Sequence, residues 1–449
     1  RVSDLLGSAS LSDANGNNAY TISISTEDAA VSASDLNAIN AITSIAVNLA
    51  NVNSITASDF TELTTLNANR DEFSNITGIT AITVTDNGGG DESVDFGTLE
   101  NIVDEYQENF NSNAVFSFQS GDTIVIDSAS ELSAFLADVA SGALVITNQS
   151  ITIDSAAPIT VSQANTIDSS TTGTITASIA TDSTVDSLVT LTGNNAYTIV
   201  INASDATGNT ANDLNTIDAA TSVQVDASQI TDISGNYSDI IDLYTSSLPE
   251  ILPPVGVTGL GNEAITITDE LSVSQANILD DLTTGVITAT IGSARVSELL
   301  DESTPLQDAN ENSAYTISIS AEDAAVSISD LNNITSLTSK PVNISNATEI
   351  TSSSILDFQT FGQLLTDNEF INPSNTVVTV AELSDETIDA TALAETIDDA
   401  TGISTKAVVD WKTQSKNTDL KPRITLRDEK GNVIKKADDN EARYYLVPD

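Results

Sequence analysis

Cysteine, histidine and methionine are absent from this chain of 449 residues, and lysine and arginine together number only 14. Without cysteine the chain can form neither disulfides nor thiolate metal sites. Without histidine it lacks the commonest general base and the commonest transition-metal ligand. Catalytic triads of the Ser-His-Asp or Cys-His kind are therefore excluded.

Aromatic residues are also scarce, at 4% of the sequence. Leucine, isoleucine and valine nevertheless recur along the whole chain, so disorder throughout is not expected. The cores must be built from aliphatic side chains and alanine, which suits thin, repeated layers better than one large core. The length allows several ordinary domains or one long repeat array.

The few basic residues are unevenly distributed. Ten of them lie in residues 406–443, and only four come earlier: Arg1, Arg70, Arg295 and Lys340. Residues 1–405 carry 57 acids and 4 bases, a net charge of −53, whereas residues 406–449 carry 8 acids and 10 bases, a net charge of +2. One folding unit rarely changes composition so sharply, so we infer two proteins of different ancestry in one polypeptide.

The acidic charge of residues 1–405 would repel nucleic acid and anionic membranes, so neither is expected to bind this region. It would also keep a surface rich in Ser, Thr and Asn soluble in a salty medium. No segment approaches the run of about 18 apolar residues that a membrane span needs. The chain opens at Arg1 without a methionine and stops within a predicted strand, so we expect a fragment of a longer protein.

Internal repetition is the strongest indication of the fold. The sequence of residues 19–47, AYTISISTEDAAVSASDLNAINAITSIAV, returns with few changes in residues 314–342, and a third copy, one residue longer, occupies residues 196–225. A second family pairs residues 160–179, TVSQANTIDSSTTGTITASI, with residues 272–291. Matches of this length do not arise by chance.

Within one copy the hydrophobic period changes from two to about three and a half. Tyr20, Ile22 and Ile24 alternate with polar residues, which predicts a strand with one apolar face. Ser34 is a suitable helix N-cap, and Asp35 suits a helix N-terminus. The apolar residues of the short helix follow at three-residue spacing, Leu36, Ile39 and Ile42, and after Thr43-Ser44 the next strand begins at Ile45.

Strands of this kind are predicted near residues 19, 45, 80, 143, 172, 196, 222, 263, 285, 314, 340 and 377. Most intervals match a strand, a turn, a short helix and a return, which favours parallel strands with right-handed connections. The sequence therefore predicts an α/β repeat solenoid of parallel strands and short helices. Residues 87–142 are expected to hold irregular loops or a capping element, and a string of small β-rich domains is the alternative.

Residues 1–392 resemble the very long acidic repeat proteins predicted in genomes of marine bacteria, including cyanobacteria. The phrases that carry this resemblance are DLNTIDAATSVQV at 213–225, TTGTITASI at 171–179 and GVTGLGNEAITITD at 256–269. Such proteins are called surface or adhesin-like proteins from their architecture. The resemblance implies an extracellular structural role and specifies no ligand.

Two loops place oxygen side chains at alternate positions, as the start of a calcium-binding EF-hand loop does. They are Asp13-Ala-Asn15-Gly16-Asn17 and Asp308-Ala-Asn310-Glu311-Asn312, whereas the third copy has Thr192-Gly193-Asn194-Asn195. The glycine and glutamate of a complete EF-hand loop are missing, so solvated Asx turns are the favoured interpretation. The loop of residues 86–92 is interpreted as a turn in the same way. Calcium is kept as a possible ligand, and no residue is assigned to a metal.

Two other patterns, threonine pairs and acid pairs, each have a functional and a structural interpretation. The pairs Thr83/Thr85, Thr174/Thr176, Thr266/Thr268 and Thr288/Thr290 are what an ice-binding ladder would need, but threonine also suits any exposed strand face. Paired acids such as Asp280/Asp281 and Asp398/Asp399 arise without catalytic purpose in a chain with 65 carboxylates. No phosphate-binding loop, zinc spacing or nucleophile elbow is present, so we predict no catalytic, cofactor-binding or metal-binding residues.

In residues 393–449, apolar and polar residues alternate around Ala407–Trp411 and Arg423–Arg427, which predicts two short strands. A turn is predicted at Glu429–Asn432. We predict a small antiparallel β unit. It closely resembles a sandwich-barrel module of the bacterial RNA polymerase β′ subunit, through DDATGISTKAVVDWKTQSK at 398–416, LKPRITLRDEKGNVI at 420–434 and EARYYL at 441–446. The family's metal-binding NADFDGD motif is absent, so the resemblance implies a structural module and no catalysis.

Two functions from different classes follow. The first is a non-enzymatic, extracellular or cell-surface, adhesin-like repeat protein whose partner is an unknown surface or another copy. The second is a cytoplasmic RNA polymerase β′ fragment with a long acidic insertion, whose partner would be the polymerase core. The word TIDAAT at 216–221 nearly matches TIDDAT at 396–401, where the polymerase-like text begins. We hypothesise that the two parts were joined there, by recombination or by artificial joining of sequence reads.

Overall fold

The structure is a computed structural model of the 449-residue chain. It describes residues 1–7, 11, 18–85, 93–118, 121–245, 256–308 and 313–352, parts of 361–381, and two short strands at 407–410 and 444–446. Within these residues, no helix combines the length and the apolar character that crossing a bilayer requires.

The described helices are short, and most have four to nine residues. In chain order they are α1 Val2–Leu6, α2 Ala33–Asn40, α3 Phe60–Ala68, α4 Phe96–Asn109, α5 Ala129–Ser141, α6 Val161–Asp168, α7 Val185–Leu188, α8 Ala211–Ala219, α9 Tyr237–Thr245, α10 Val273–Asp280, α11 Val296–Leu299 and α12 Ile328–Thr335. Three 3₁₀ turns accompany them, at Arg70–Glu72, Ile76–Gly78 and Ala203–Asp205.

The strands are also short and alternate with the helices. They are β1 Ala30–Ser32, β2 Val47–Asn48, β3 Ser54–Ala57, β4 Phe73–Ser74, β5 Ala81–Val84, β6 Ser93–Asp95, β7 Val115–Phe118, β8 Thr123–Ile126, β9 Leu144–Val145, β10 Ser150–Ile153, β11 Ile175–Ser178, β12 Ala196–Val200, β13 Asn209–Thr210, β14 Val225–Asp226, β15 Asp232–Gly235, β16 Val257–Thr258, β17 Ala264–Leu271, β18 Ile287–Ile291, β19 Ser313–Thr316, β20 Ala325–Ser327, β21 Val342–Asn343, β22 Glu349–Ser352, β23 Phe370–Ile371, β24 Val377–Ala381, β25 Ala407–Asp410 and β26 Tyr444–Leu446.

The predicted α/β class with parallel strands is confirmed. Four larger sheets have the orders β1-β3-β5-β7-β9, β16-β14-β12-β11-β10-β8-β6, β13-β15-β17-β18-β19 and β20-β22-β24-β25-β26, and β2-β4 and β21-β23 form two small sheets. Every described strand pair is parallel except β25 with β26. At every predicted position from residue 45 onward a strand begins within a few residues, whereas near residue 19 a single bridge joins Ser23 to Asn48.

The chain divides into two compact units. Unit 1 comprises Arg1–Asp205, Asp213–Gln229 and Thr245–Gly259, and unit 2 comprises Ala206–Asn212, Ile230–Tyr244 and Leu260–Asp449. In unit 1 the buried side chains of neighbouring strands form a row, with Ile55 beside Ile82 and Ile82 beside Phe116. In unit 2 the corresponding row is Ile233, Ile265 and Ile287. One apolar face per strand therefore builds each core.

The helices begin where the sequence supplies a capping side chain. In most of them the N-cap is Ser, Thr or Asp, and its oxygen accepts the backbone N–H of the third helical residue, which is otherwise unpaired. These N-caps are Ser32, Asp59, Asp95, Ser128, Thr160, Thr184, Ser272 and Ser327. Local capping therefore fixes the start of these eight helices.

The assignment of Ser34 as the N-cap of α2 is wrong. Ser32 caps the helix, because its Oγ accepts the N–H of Asp35 at 3.0 Å. Ser32 ends strand β1 and has the extended backbone of a cap, whereas Ser34 already lies in the helix. The apolar spacing is correct for Leu36 and Ile39, which are both fully buried, and Ile42 follows after the helix has ended.

The expectation of irregular loops or a capping element in residues 87–142 is not met where the chain is described. Strand β6, helix α4, strands β7 and β8 and helix α5 follow one another between Ser93 and Ser141. Helices α4 and α5 have 14 and 13 residues, the longest of the described helices. The wide interval between predicted strands therefore contains longer helices.

The carboxyl-terminal segment is described only at two strands. Strand β25, one of the predicted strands, pairs in parallel with β24 and antiparallel with β26. The predicted strand at Arg423–Arg427 and the turn at Glu429–Asn432 lie outside the described residues. The boundary between residues 392 and 393 stays a prediction.

Candidate functional surface

No catalytic arrangement is found in the described part of the chain. An open groove of about 480 Å³ runs along α6 and contains no acidic or basic side chain; it is lined by Val161, Ser162, Asn165, Thr166, Ser169, Ser187 and Thr190. Its threonine hydroxyls donate locally, from Thr166 to the carbonyl oxygen of Ser162 at 2.8 Å and from Thr190 to that of Ser187 at 2.6 Å. The groove therefore offers no reactive group.

We call each strand–helix–strand stretch of the chain a passage. The most regular polar feature is a set of hydrogen bonds that join passages to the ones before them. Five buried threonines follow short helices, and we call them the latch threonines: Thr43, Thr171, Thr221, Thr283 and Thr338. Each Oγ1 donates to a backbone carbonyl 20 to 24 residues earlier, at 2.6–2.7 Å. Each also accepts the N–H of the residue two positions later, at 2.9–3.1 Å.

The residue after each latch threonine is Ser or Thr and adds a second link. Its backbone N–H donates to a carbonyl of the preceding passage at 2.8–2.9 Å, for example from Ser222 to Asn195 and from Ser339 to Ser313. Its hydroxyl donates to the same carbonyl oxygen, at 3.3 Å from Ser222 and at 3.1 Å from Ser339. The dipeptide thus satisfies buried backbone groups of two successive passages.

Sequence reasoning had treated Thr43-Ser44 only as the end of a helix. The dipeptide recurs at equivalent positions as Thr-Ser or Thr-Thr, at 43–44, 171–172, 221–222, 283–284 and 338–339. That recurrence could have identified the latch, because a polar dipeptide repeated inside an otherwise apolar pattern needs a partner. The partner itself lies in the preceding passage, which no local pattern reveals.

Asparagine side chains make further links between passages. The Nδ2 atoms of Asn51 and Asn346 donate to the carbonyl oxygens of Ile24 and Ile319, both at 2.8 Å and both 27 residues earlier. Asn165 donates to the carbonyl oxygen of Thr190 at 2.8 Å and accepts the N–H of Thr192 at 3.0 Å. The abundant Asn residues are therefore partly structural.

Aspartates of one passage also cap short helices of the passage before it. Asp28, Asp205 and Asp323 accept the first N–H of α1, α7 and α11, from Val2, Val185 and Val296, at 2.8–3.1 Å. A negative charge at a helix N-terminus is favourable. Ion pairs accompany two of these caps, Arg1 with Glu27 and Arg295 with Glu322, and their side chains are more than half exposed.

An acidic cluster lies between α4 and α5. Burial, followed by the charges of Asp104 and Glu100, raises the pKa of Asp138 to about 6. Burial, followed by the charges of Asp104 and Glu131, also raises the pKa of Glu100. Within the described residues, however, no three acidic side chains are close enough together to hold a metal ion. The cluster is a site of charge repulsion between two helices.

The residues considered for calcium and ice binding are only partly described. Residues 12–17, 86–92 and 309–312 lie outside the described residues, so the two candidate loops cannot be followed, although Asp308 can. Thr83 lies beside Thr56 and Ser117, and Thr83 Oγ1 is 3.1 Å from Ser117 Oγ. The register of β17 and β18 shifts between Thr266 and Glu270. The described threonine pairs therefore do not build two continuous rows.

No family model matches the chain. Among solved structures, the chain is similar to a chain in the crystal structure of the yeast Rad7–Elc1 complex, with 8% sequence identity over 58% of this chain and 73% of that chain, and a TM-score of 0.17. A TM-score this low supports no inference about fold or function.

Proposed function

We propose that residues 1–392 form an α/β repeat solenoid that serves as a non-enzymatic structural or adhesin-like part outside the cell or on its surface. The supporting observation is the latch: a buried threonine at the same place in five passages bonds each of them to its predecessor, within each unit. Side chains that could carry chemistry are used here to join one passage to the next. A chain built in this way is suited to being long and regular.

The charge supports the same proposal. Residues 1–405 have a net charge of −53. A high net charge keeps a protein soluble, and salt in the medium screens the self-repulsion that would otherwise destabilise the folded state. Exposed faces rich in Ser, Thr and Asn fit a spacer or an adhesive surface better than a nucleic-acid or membrane partner. The ligand could be an abiotic surface, a cell surface or another copy of the chain.

Small-angle X-ray scattering tests the solenoid. A compact chain of this length would have a radius of gyration of about 22 Å. We expect a value well above this, with a constant cross-section along the particle. A radius near the compact value would contradict the solenoid, and the urea-unfolded chain provides the matched upper reference.

Cell fractionation tests the location. An antibody against residues 160–291 should label the surface or the medium of the source cells, and external protease should remove the signal while a cytoplasmic marker stays intact. Protection from protease in intact cells, with release on lysis, would contradict a surface role.

A polymerase-associated role is the second candidate. One observation favours it: two strands pair antiparallel, Ala407–Asp410 and Tyr444–Leu446. Both lie in segments that resemble the β′ subunit. Recovery of the chain with core RNA polymerase from a cytoplasmic lysate would support this candidate over the first. One long sequencing read across the codons for residues 385–410 would test the join, because an uninterrupted gene with a complete β′ downstream would rule out artificial joining.

A further inference from the structure

The groove along α6, called the α6 groove below, has a counterpart along α10. Helices α6 and α10 lie in the two copies of the second repeat family, one in each unit. One asparagine holds the backbone frame in each copy. Asn165 bonds to the chain that follows α7, as described above, and Asn277 binds the carbonyl oxygen of Pro305 at 2.7 Å and the N–H of Gln307 at 2.8 Å. The two frames are therefore built in the same way.

The side chains on this frame differ between the copies. Three hydroxyl residues of the α6 groove, Thr166, Ser169 and Ser187, are replaced at the equivalent positions by Ile278, Asp281 and Glu298. All three replacements are exposed, Ile278 by 44%. The frame thus accepts apolar and acidic side chains at these positions. In a region with a net charge of −53, an uncharged lining is a property of the α6 groove and is not imposed by the repeat.

The hydroxyl hydrogens in the α6 groove are used within the protein. Thr166 donates to the carbonyl oxygen of Ser162 at 2.8 Å, Ser169 to that of Thr166 at 2.8 Å, and Thr190 to that of Ser187 at 2.6 Å. A hydroxyl has one hydrogen to donate and two lone pairs that accept, so these three oxygens are available to a ligand as acceptors. Thr166, Ser169 and Thr190 are all exposed. A ligand in the groove must therefore supply hydrogen-bond donors.

We propose that the α6 groove binds a neutral oligosaccharide; this ligand class rests on the adhesin-like role proposed above. Sugar hydroxyls supply the donors that the three oxygens require, and the hydroxyls of Ser162 and Ser187 can act as donor or acceptor toward the same ligand. The buried side chain of Val161 adds an apolar contact. The volume of about 480 Å³ lies within the range of small-ligand sites.

Charge favours a neutral sugar over other ligands that carry many donors. An anionic saccharide would be repelled by the acidic region around the groove. A polyamine would be attracted more strongly by the carboxylates of Asp281 and Glu298 in the counterpart than by an uncharged lining. The affinity should be weak, on the order of 1 mM, because none of the lining residues is aromatic. Several copies of the chain on one surface would raise it through avidity.

Saturation-transfer NMR of the full chain tests the site with a panel of neutral trisaccharides of glucose, galactose and mannose. Spermine and a sulfated disaccharide are the charged comparisons. We expect at least one neutral trisaccharide to bind, and neither charged probe to displace it. Thr166→Val removes one acceptor and nearly keeps the shape of the side chain, so it should weaken binding about fivefold, as expected for one neutral hydrogen bond. Thr166→Ser keeps the hydroxyl and should bind like the parent chain.

Ser187→Glu should abolish binding, because it introduces the side chain that the other copy has at this position. This variant should fold, since a glutamate at the third position of α7 can complete a capping box with Thr184, as Glu298 does at the start of α11. Ser297→Glu changes an exposed serine of α11 in unit 2 and is the matched control. It should bind the sugar like the parent chain.

Three results would overturn the proposal. They are binding of no neutral trisaccharide by the parent chain, equal binding by the parent, Thr166→Val and Ser187→Glu chains, and preferential binding of spermine or the sulfated disaccharide. These results are independent of the protease experiment above, which alone decides whether the chain is exposed at the cell surface. Failure of the sugar site and failure of the surface role are therefore distinguishable.

Discussion

The core of residues 93–145 and the cores of the passages with latch threonines are stabilised in different ways. In residues 93–145, long helices bring aromatic rings together: Phe96 and Phe135 meet edge to face at 5.4 Å, as do Tyr106 and Phe116 at 5.7 Å, and Tyr106 stacks on Phe110 at 4.5 Å. Each latch threonine instead follows a helix of eight or nine residues, α2, α6, α8, α10 or α12.

The difference shows what stabilises a passage whose helix is short and buries few side chains. Helix α2 buries only Ala33, Leu36 and Ile39, and α4 buries Phe96, Leu99, Ile102, Val103 and Tyr106. A passage with little apolar area to bury gains less hydrophobic stabilisation, so hydrogen bonds to its neighbour matter more. Four substitutions test this comparison, from the largest expected effect to the smallest.

Phe116→Ala should cause the largest loss, about 3–5 kcal/mol of unfolding free energy, because it empties a fully buried site beside Tyr106. Urea unfolding followed by circular dichroism measures it. Phe116→Leu is the matched control and should cost clearly less. A loss no greater than that of the latch variant below would contradict the aromatic interpretation of this region.

Thr221→Val should cost about 1–3 kcal/mol, because it leaves the carbonyl and N–H of Tyr197 and the N–H of Val223 without their hydroxyl partner. The shape of the side chain is nearly kept, so packing contributes little. Thr221→Ser restores the hydroxyl and should recover most of the loss in the same urea titration. If the valine and serine variants are equally stable, the hydroxyl is not what holds the passages together.

Asp138→Asn should stabilise the chain at neutral pH. The folded-state pKa of Asp138 is raised from 3.8 to about 6, so its contribution to stability is fully present below pH 3.8 and is lost as the pH rises through 6. Because the side chain is partly exposed, solvent screening limits the gain at pH 7.5 to about 1 kcal/mol.

Urea unfolding of Asp138→Asn and the parent chain at pH 4 and pH 7.5 measures this effect. The gain should be present at pH 7.5 and nearly absent at pH 4. An equal gain at both values would mean that charge repulsion between α4 and α5 is not its source. Glu72→Gln, an exposed acid away from this cluster, is the control.

Arg295→Ala should have the smallest effect, below about 0.5 kcal/mol, because its ion pair with Glu322 is more than half exposed. Arg1→Ala, which removes the equivalent pair with Glu27, should behave alike. Unfolding in low and high sodium chloride measures the difference, which salt should reduce. A loss comparable to that of Thr221→Val would mean that these pairs hold passages together as the latch does.

Prediction from the sequence succeeded where the pattern was local and long enough. Of the predicted apolar face of Tyr20, Ile22 and Ile24, the two isoleucines are buried and Tyr20 is exposed; the spacing of Leu36 and Ile39 gave the buried face of α2. It failed for strands such as β1 and β20, which precede helices directly. These strands have three residues with one buried side chain each, so they show no alternation to detect.

Other features depended on residues far apart in the sequence. The latch threonines and the raised pKa of Asp138 are both defined by groups at least 20 residues away. No window of sequence contains both partners. The residues themselves were visible, but the contacts that give them a role were not.

The sequence by itself determined the class of elements, the parallel pairing and the absence of histidine and thiol chemistry, because period, connection length and composition are properties of the chain. The tertiary structure decided which threonines became latches and which acids became buried. Burial and hydrogen bonding depend on which passages become neighbours, and that is settled only when the chain folds.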